Sequence, residues 1–102
     1  MNLLTNEIRE RFPKMYETRN QGNPMFQVKF FMPWTTRRWY GVEFDGRDVF
    51  YGWVAEVVTE WGYFSLKELE HARGPRGLRV ERDAYFEPTP ASEVEIRLST
   101  KW

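Results

Sequence analysis

The chain has 102 residues, with fifteen basic and fifteen acidic side chains and a formal net charge of zero. That length suits one domain around one hydrophobic core, and the even balance speaks against a dedicated high-affinity DNA coat. Cysteine is absent and histidine occurs once, which excludes a disulfide framework, a thiol nucleophile and a multi-histidine zinc site. No apolar run approaches the ~18 residues of a membrane span, and the N-terminus carries no signal-peptide core. A cytoplasmic protein without a membrane partner is expected.

In chain order, Thr5 is placed to cap a short helix, with Glu7 in its first turn and Pro13 beyond its end. Leu4, Ile8 and Phe12 recur every four residues and form its apolar face. Residues 17–24 are polar and close on Gly22-Asn23-Pro24, which reads as a loop. Thirteen of the eighteen aromatic residues then fall between Phe26 and Phe64. Flat and β-branched side chains around glycine-containing turns are what a twisted antiparallel sheet needs. Met25 to Met32 reads as one strand with Phe26, Val28 and Phe30 on one face. Arg37 to Phe44 and Val49 to Val58 read as a hairpin. A two-residue Asp45-Gly46 turn would set Glu43 against Asp48, a repulsive pair. A four-residue loop instead pairs Phe44 with Val49, Val42 with Tyr51 and Tyr40 with Trp53, and sets Arg37 across from Glu56. The second register is preferred.

Gly62-Tyr63-Phe64 suggests a short strand. Ser65 and Glu68 form a capping box for a helix from Leu66 to about Arg73, stopped by Gly74-Pro75. An arginine-rich loop follows, then an extended piece around Ala84-Tyr85-Phe86. In the tail, Thr89-Pro90 suits a helix start, whereas Val94, Ile96 and Leu98 alternate as in a strand; helix is preferred. The expected fold is a single α+β domain with a mainly antiparallel sheet of three to five strands and short helices packed on one face. Ile8, Phe30, Tyr40, Val42, Phe44, Tyr51, Trp53, Phe64 and Leu69 are its expected core.

These landmarks together resemble the family called domain of unknown function 2958. They are Leu3-Leu4-Thr5, Val28-Lys29-Phe30-Phe31, Trp39-Tyr40 leading to Glu43-Phe44-Asp45-Gly46, Gly62-Tyr63-Phe64-Ser65-Leu66 with Glu68-Leu69-Glu70, Arg73-Gly74-Pro75 with Gly77-Leu78, and Glu81-Arg82-Asp83 before Tyr85-Phe86. The resemblance spans nearly the whole chain in order. It implies a small cargo protein of plasmids, conjugative elements and phages, and supplies no established activity to carry over. Arg76 and Arg79 depart from the pattern.

Eleven of the fifteen cations are arginine, whose planar fork binds carboxylate or phosphate and stacks on rings. Arg73, Arg76, Arg79 and Arg82 lie on a glycine-rich loop suited to phosphates or an acidic protein surface. The plainer reading is a solvated loop paired with Glu70, Glu81 and Asp83. Glu81 and Asp83 read as clamps on the loop. Glu43, Asp45 and Asp48 offer oxygen ligands for a hard cation, but Arg47 opposes one and a solvated turn is favoured. His71 lacks a catalytic companion and fits a helix C-terminus. Trp34, beside Arg37 and Arg38 in a proline-containing loop, is the best candidate for an exposed aromatic. No catalytic residue, metal ligand or cofactor is assigned. Residues 43–70 carry two basic and seven acidic side chains, a field that would turn the basic loop outward. A non-catalytic protein-binding accessory of a mobile element, or an inhibitor of host defence, is the first expectation. Its contacts would be Trp34, Arg37, Arg38, Arg73, Arg76, Arg79 and Arg82. A nucleic-acid-binding module using the same arginines and exposed aromatics is the alternative.

Overall fold

The computed structural model describes residues 3–94. Helix α1 (Asn6–Arg11) starts as expected, with Thr5 Oγ1 accepting the N–H of Ile8 at 3.1 Å. Strands β1 (Met25–Phe26), β2 (Val28–Phe31), β3 (Arg38–Phe44), β4 (Val49–Ala55) and β5 (Thr59–Ser65) follow. Then come helix α2 (Leu66–His71), a 3-10 turn (Pro75–Gly77), β6 (Glu81–Arg82) and β7 (Thr89–Pro90). Five strands form an antiparallel sheet in the order β5-β4-β3-β2-β6, and β1 pairs with β7 in a separate ladder. The expected α+β architecture is the one adopted. No helix among the described residues is long and apolar enough to cross a membrane.

Both helices dock on one face of the sheet. Phe50 is the hub there: its ring stacks on Phe44 at 4.5 Å and Phe64 at 4.9 Å, and meets Phe12 at 5.4 Å and Phe30 at 5.6 Å. Burying one such ring is worth about 1.5–3 kcal/mol. Leu66 and Leu69 of α2 join this cluster, and Ile8 and Phe12 cover its edge. The other face carries a smaller cluster of Phe26, Tyr40, Val42, Ala91 and Val94, flanked by Trp53, Trp61 and Phe86. Of the nine expected core residues, Phe30, Tyr40, Val42, Phe44 and Leu69 are buried, while Ile8, Tyr51, Trp53 and Phe64 are half-buried.

Several local expectations are corrected. The strand expected from Met25 to Met32 breaks at Gln27, whose N–H bonds to the carbonyl of Gly41 at 2.8 Å. The break sends Phe26 to the opposite face from Val28 and Phe30, against Tyr40 and Trp61. Strand β5 runs seven residues because its ladder with β4 is unbroken from Val49↔Ser65 to Ala55↔Thr59. Ala84-Tyr85 is a turn rather than an extended piece, because Asp83 Oδ1 accepts the N–H of Tyr85 at 2.9 Å. Thr89-Pro90 is strand β7, and the helix preferred for the tail begins directly after it, with residues 91–94 helical. Ile96, Leu98 and Trp102 lie outside the described residues.

The hairpin register holds at one end only. Tyr40 faces Trp53, and Arg37 lies 3.7 Å from Glu56. The expected pairs of Val42 with Tyr51 and Phe44 with Val49 do not form. A bulge between Gly41 and Glu43 sets Glu43 opposite Tyr51 and Phe44 opposite Phe50. A bulge turns two successive side chains to one face, and both Val42 and Glu43 are buried there, Glu43 with 0% exposure.

A buried carboxylate needs partners for its lone pairs, and Glu43 finds them in the loop after α1. Oε1 accepts the N–H of Tyr16 at 2.8 Å and Nε of Arg19 at 3.0 Å. Oε2 accepts the N–H of Thr18 at 2.9 Å and its hydroxyl. Tyr16 adopts a φ of 74° to do this. The Arg19 guanidinium lies over Tyr51 at 3.7 Å, with Tyr16 at 4.5 Å and Tyr63 at 5.4 Å. Burial alone would push the Glu43 carboxyl up; the hydrogen bonds from Thr18, Tyr16 and Arg19 outweigh it and hold the group below its ordinary value. The unfolded chain therefore binds this proton more readily than the folded one. The stability it confers is present above the ordinary carboxylate range and is lost as pH falls through the depressed folded value. Urea melts across acid pH should show this loss. Glu43→Gln should be destabilised on the order of 3 kcal/mol at neutral pH and should show a flatter acid limb.

Candidate binding surface

Helix α2 is held at both ends from outside itself. At its start, Ser65 Oγ accepts the N–H of Glu68 at 3.2 Å, half of the expected capping box. Asp48 satisfies a different first-turn donor: its Oδ1 accepts the N–H of Lys67 at 2.7 Å, and its Oδ2 accepts the Ser65 hydroxyl at 2.8 Å. These bonds hold the Asp48 carboxyl below its ordinary value. At the other end, His71 Nδ1 bonds the carbonyl of Lys67 at 2.7 Å and so carries the proton in that contact.

The arginine loop grows from this C-terminus. Arg73 Nη1 donates to the carbonyls of Glu70 at 2.8 Å and Ala72 at 3.0 Å, and Arg79 Nη2 donates to Glu70 at 3.0 Å. Cations at the last carbonyls of a helix complete its hydrogen bonding and suit its dipole. Arg73 and Arg79 also face each other across an antiparallel bridge. Inside it, the N–H of Gly74 bonds to Leu78 at 2.8 Å and that of Leu78 to Pro75 at 3.1 Å. Arg82 donates from Nε to the carbonyl of Leu3 at 2.9 Å and ties β6 to the chain start.

Arg76 differs from these three. It sits at the apex with a φ of 59°, followed by Gly77 at 77°, and makes no polar contact among the described residues. Trp34 braces the loop from the β2–β3 connection: a Cβ added at Gly74 would stand 2.4 Å from its ring. Trp34 is accordingly half-buried. The structure thus brings Trp34 and the loop together.

Arg37 ends the same connection and Arg38 begins β3. Arg37 pairs with Glu56, and Arg38 Nη1 donates to the carbonyl of Thr36 at 2.7 Å. Both line a groove of ≈ 420 Å³ with Lys29, Phe31 and Asp83. Lys29 and Asp83 are 3.7 Å apart within it, so Asp83 clamps this groove and its own turn rather than Arg73.

The carboxylates of the hairpin tip do not form a cluster. The bulge turns Glu43 inward, while Asp45 Oδ1 accepts the N–H groups of Arg47, Asp48 and Val49 at 2.8, 2.8 and 3.0 Å. Burial pushes the Asp45 carboxyl up, but these three bonds hold it below its ordinary value. No group of three or more metal-binding side chains occurs among the described residues. The Glu43 latch and the Trp34–Gly74 contact are the two features that sequence reasoning missed. An acid within the apolar run Trp39 to Phe44 was the available signal for the first.

The family described as "Protein of unknown function (DUF2958)" matches residues 3–98, and the chain belongs to it. No curated protein and no solved structure matches the chain.

The Trp34–Gly74 contact fixes the loop, so Gly74→Ala should cost about 1–3 kcal/mol through overpacking. Gly22→Ala, with nothing within 4 Å of its added carbon, should be near neutral in the same denaturant melts.

Proposed function

We propose that this member of the family is a non-catalytic protein-binding module that engages an acidic protein surface with Arg76 and the exposed edge of Trp34. One observation carries the reading: Arg76 stands without a polar partner among the described residues, on a loop fastened by Trp34, Arg73 and Arg79. A cation presented by a rigid loop loses little freedom on binding, and arginine and tryptophan often dominate interface energetics. The candidate acid and base groups of the hairpin tip and of α2 are engaged in structure. Glu43, Asp45 and Asp48 are held ionised by hydrogen bonds, and His71 closes a helix. The setting proposed with it is an accessory of a mobile genetic element that binds and inhibits a host defence protein, a role that needs a contact surface and no reaction.

The nucleic-acid reading rests on a different place, the groove where Lys29, Arg37 and Arg38 flank Phe31. Cations beside an aromatic ring suit a stacked base and its phosphate. Glycine accepts a φ near 59° without strain, so Arg76→Gly removes the guanidinium and leaves the loop intact. Pull-down from host lysate should recover a protein partner with wild type, and Arg76→Gly should weaken that partner about tenfold or more. Wild-type affinity in the variant defeats the reading. Binding to single-stranded DNA that falls steeply with salt and is lost in Arg38→Ala would put the groove in its place.

A further inference from the structure

Strand β5 is an open edge. It pairs with β4 on one side, and none of the described strands pairs with the other. The opposite edge strand, β6, has two residues, whereas β5 has seven. The N–H of Leu66 bonds to the carbonyl of Asp48, which sets the phase of the ladder. In an antiparallel pair, alternate residues bond inward. Glu60, Gly62 and Phe64 therefore bond to β4, and the N–H and C=O groups of Thr59, Trp61, Tyr63 and Ser65 point outward. Edges of this length usually carry lysine, proline or a bulge that blocks further pairing. β5 has none of these: its register is unbroken and its one charge is Glu60.

Gly62 lies at the centre of this strand, and nothing among the described residues requires a glycine there. Its φ is not left-handed, and an added Cβ would meet nothing within 4 Å. Glycine inside a strand is destabilising relative to alanine, and such a glycine often marks the close approach of another backbone.

We propose that two copies of this chain pair through β5, antiparallel about a two-fold axis at Gly62, joining two five-stranded sheets into one. In this register Trp61 faces the second copy's Tyr63, and Thr59 faces its Ser65. Every outward backbone group then gains a partner. The two Gly62 residues meet in a non-hydrogen-bonded pair, where Cα atoms approach to about 4.5 Å. On one face Trp61 and Tyr63 form aromatic cross-strand pairs. On the other, Glu60 faces Phe64, so no like charges oppose each other. The pairing covers Tyr63, which is 55% exposed in the single chain. A two-fold contact needs a self-complementary edge, and this register supplies one without a mismatch. Edge pairing alone buries less than the ~800 Å² per partner of a standard interface, so the dimer depends on concentration.

The chain has no cysteine, so one introduced thiol reports the register directly. A Cα separation of about 4.5 Å is within disulfide reach. Gly62→Cys should cross-link into dimers under mild oxidation. Glu60→Cys should not, because the two copies of position 60 are offset along the strands. In sedimentation equilibrium, the wild-type mass should rise toward two chains with concentration. Gly62→Lys, folded by circular dichroism, should stay a single chain. A wild type that stays a single chain at every concentration overturns the proposal, as does equal cross-linking at both positions or a dimer that persists in Gly62→Lys.

Discussion

The second face of the sheet depends on one buried carboxylate. Glu43 enters the interior only because a bulge in β3 turns it to the side of Val42. Once there it must be satisfied, and the loop after α1 does so with two backbone N–H groups, a hydroxyl and a guanidinium. That loop in turn carries Pro24, whose carbonyl accepts the N–H of Ala91 at 2.9 Å. Asn23 and Ser92 exchange two further bonds, at 3.1 and 2.9 Å. Ala91 and Val94 close the cluster around Phe26 and Tyr40. A chain of contacts thus runs from one acid to the cover of a whole face. Replacing a satisfied ionic network by apolar groups is often neutral, but removing one member of it is costly.

A second constraint shapes the basic surface. Helix α2 has only six residues, too few to be stable by itself. Its ends are therefore satisfied by distant groups: Asp48 from the hairpin at the start, Arg73 and Arg79 from the following loop at the end. The arginines that drew attention as a cluster divide by role. Arg73, Arg79 and Arg82 complete the fold, and Arg76 has no polar partner among the described residues. Three acids in the middle of the chain are likewise spent locally, with Glu43 buried and Asp45 and Asp48 accepting backbone N–H groups.

The sheet was legible because aromatic and β-branched residues alternate through the hairpin, and the helix starts because Thr5 and Ser65 are strong local caps. The break at Gln27 was not. Phe26, Val28 and Phe30 keep a period of two, and only the competing ladder of β1 with β7 flips Phe26 to the other face. The bulge was hidden for the same reason. Beyond the acid at Glu43, nothing in Gly41-Val42-Glu43 distinguishes it from a regular strand, and the donors that make it worthwhile lie more than twenty positions away. The proximity of Trp34 to the arginine loop also arises from tertiary packing, since Gly74 reads from the sequence only as a helix stop. Residue types pointed to the basic loop, whereas geometry separated Arg76 from its neighbours.

The latch is most directly tested by amide hydrogen exchange at Tyr16 and Thr18. Both N–H groups point at a buried carboxylate from a segment without regular secondary structure. They should exchange as slowly as strand amides in the wild type and become fast in Glu43→Gln, together with the N–H of Ala91, while the amides of β4 stay slow. Exchange at free-loop rates for Tyr16 and Thr18 in the wild type would contradict the account.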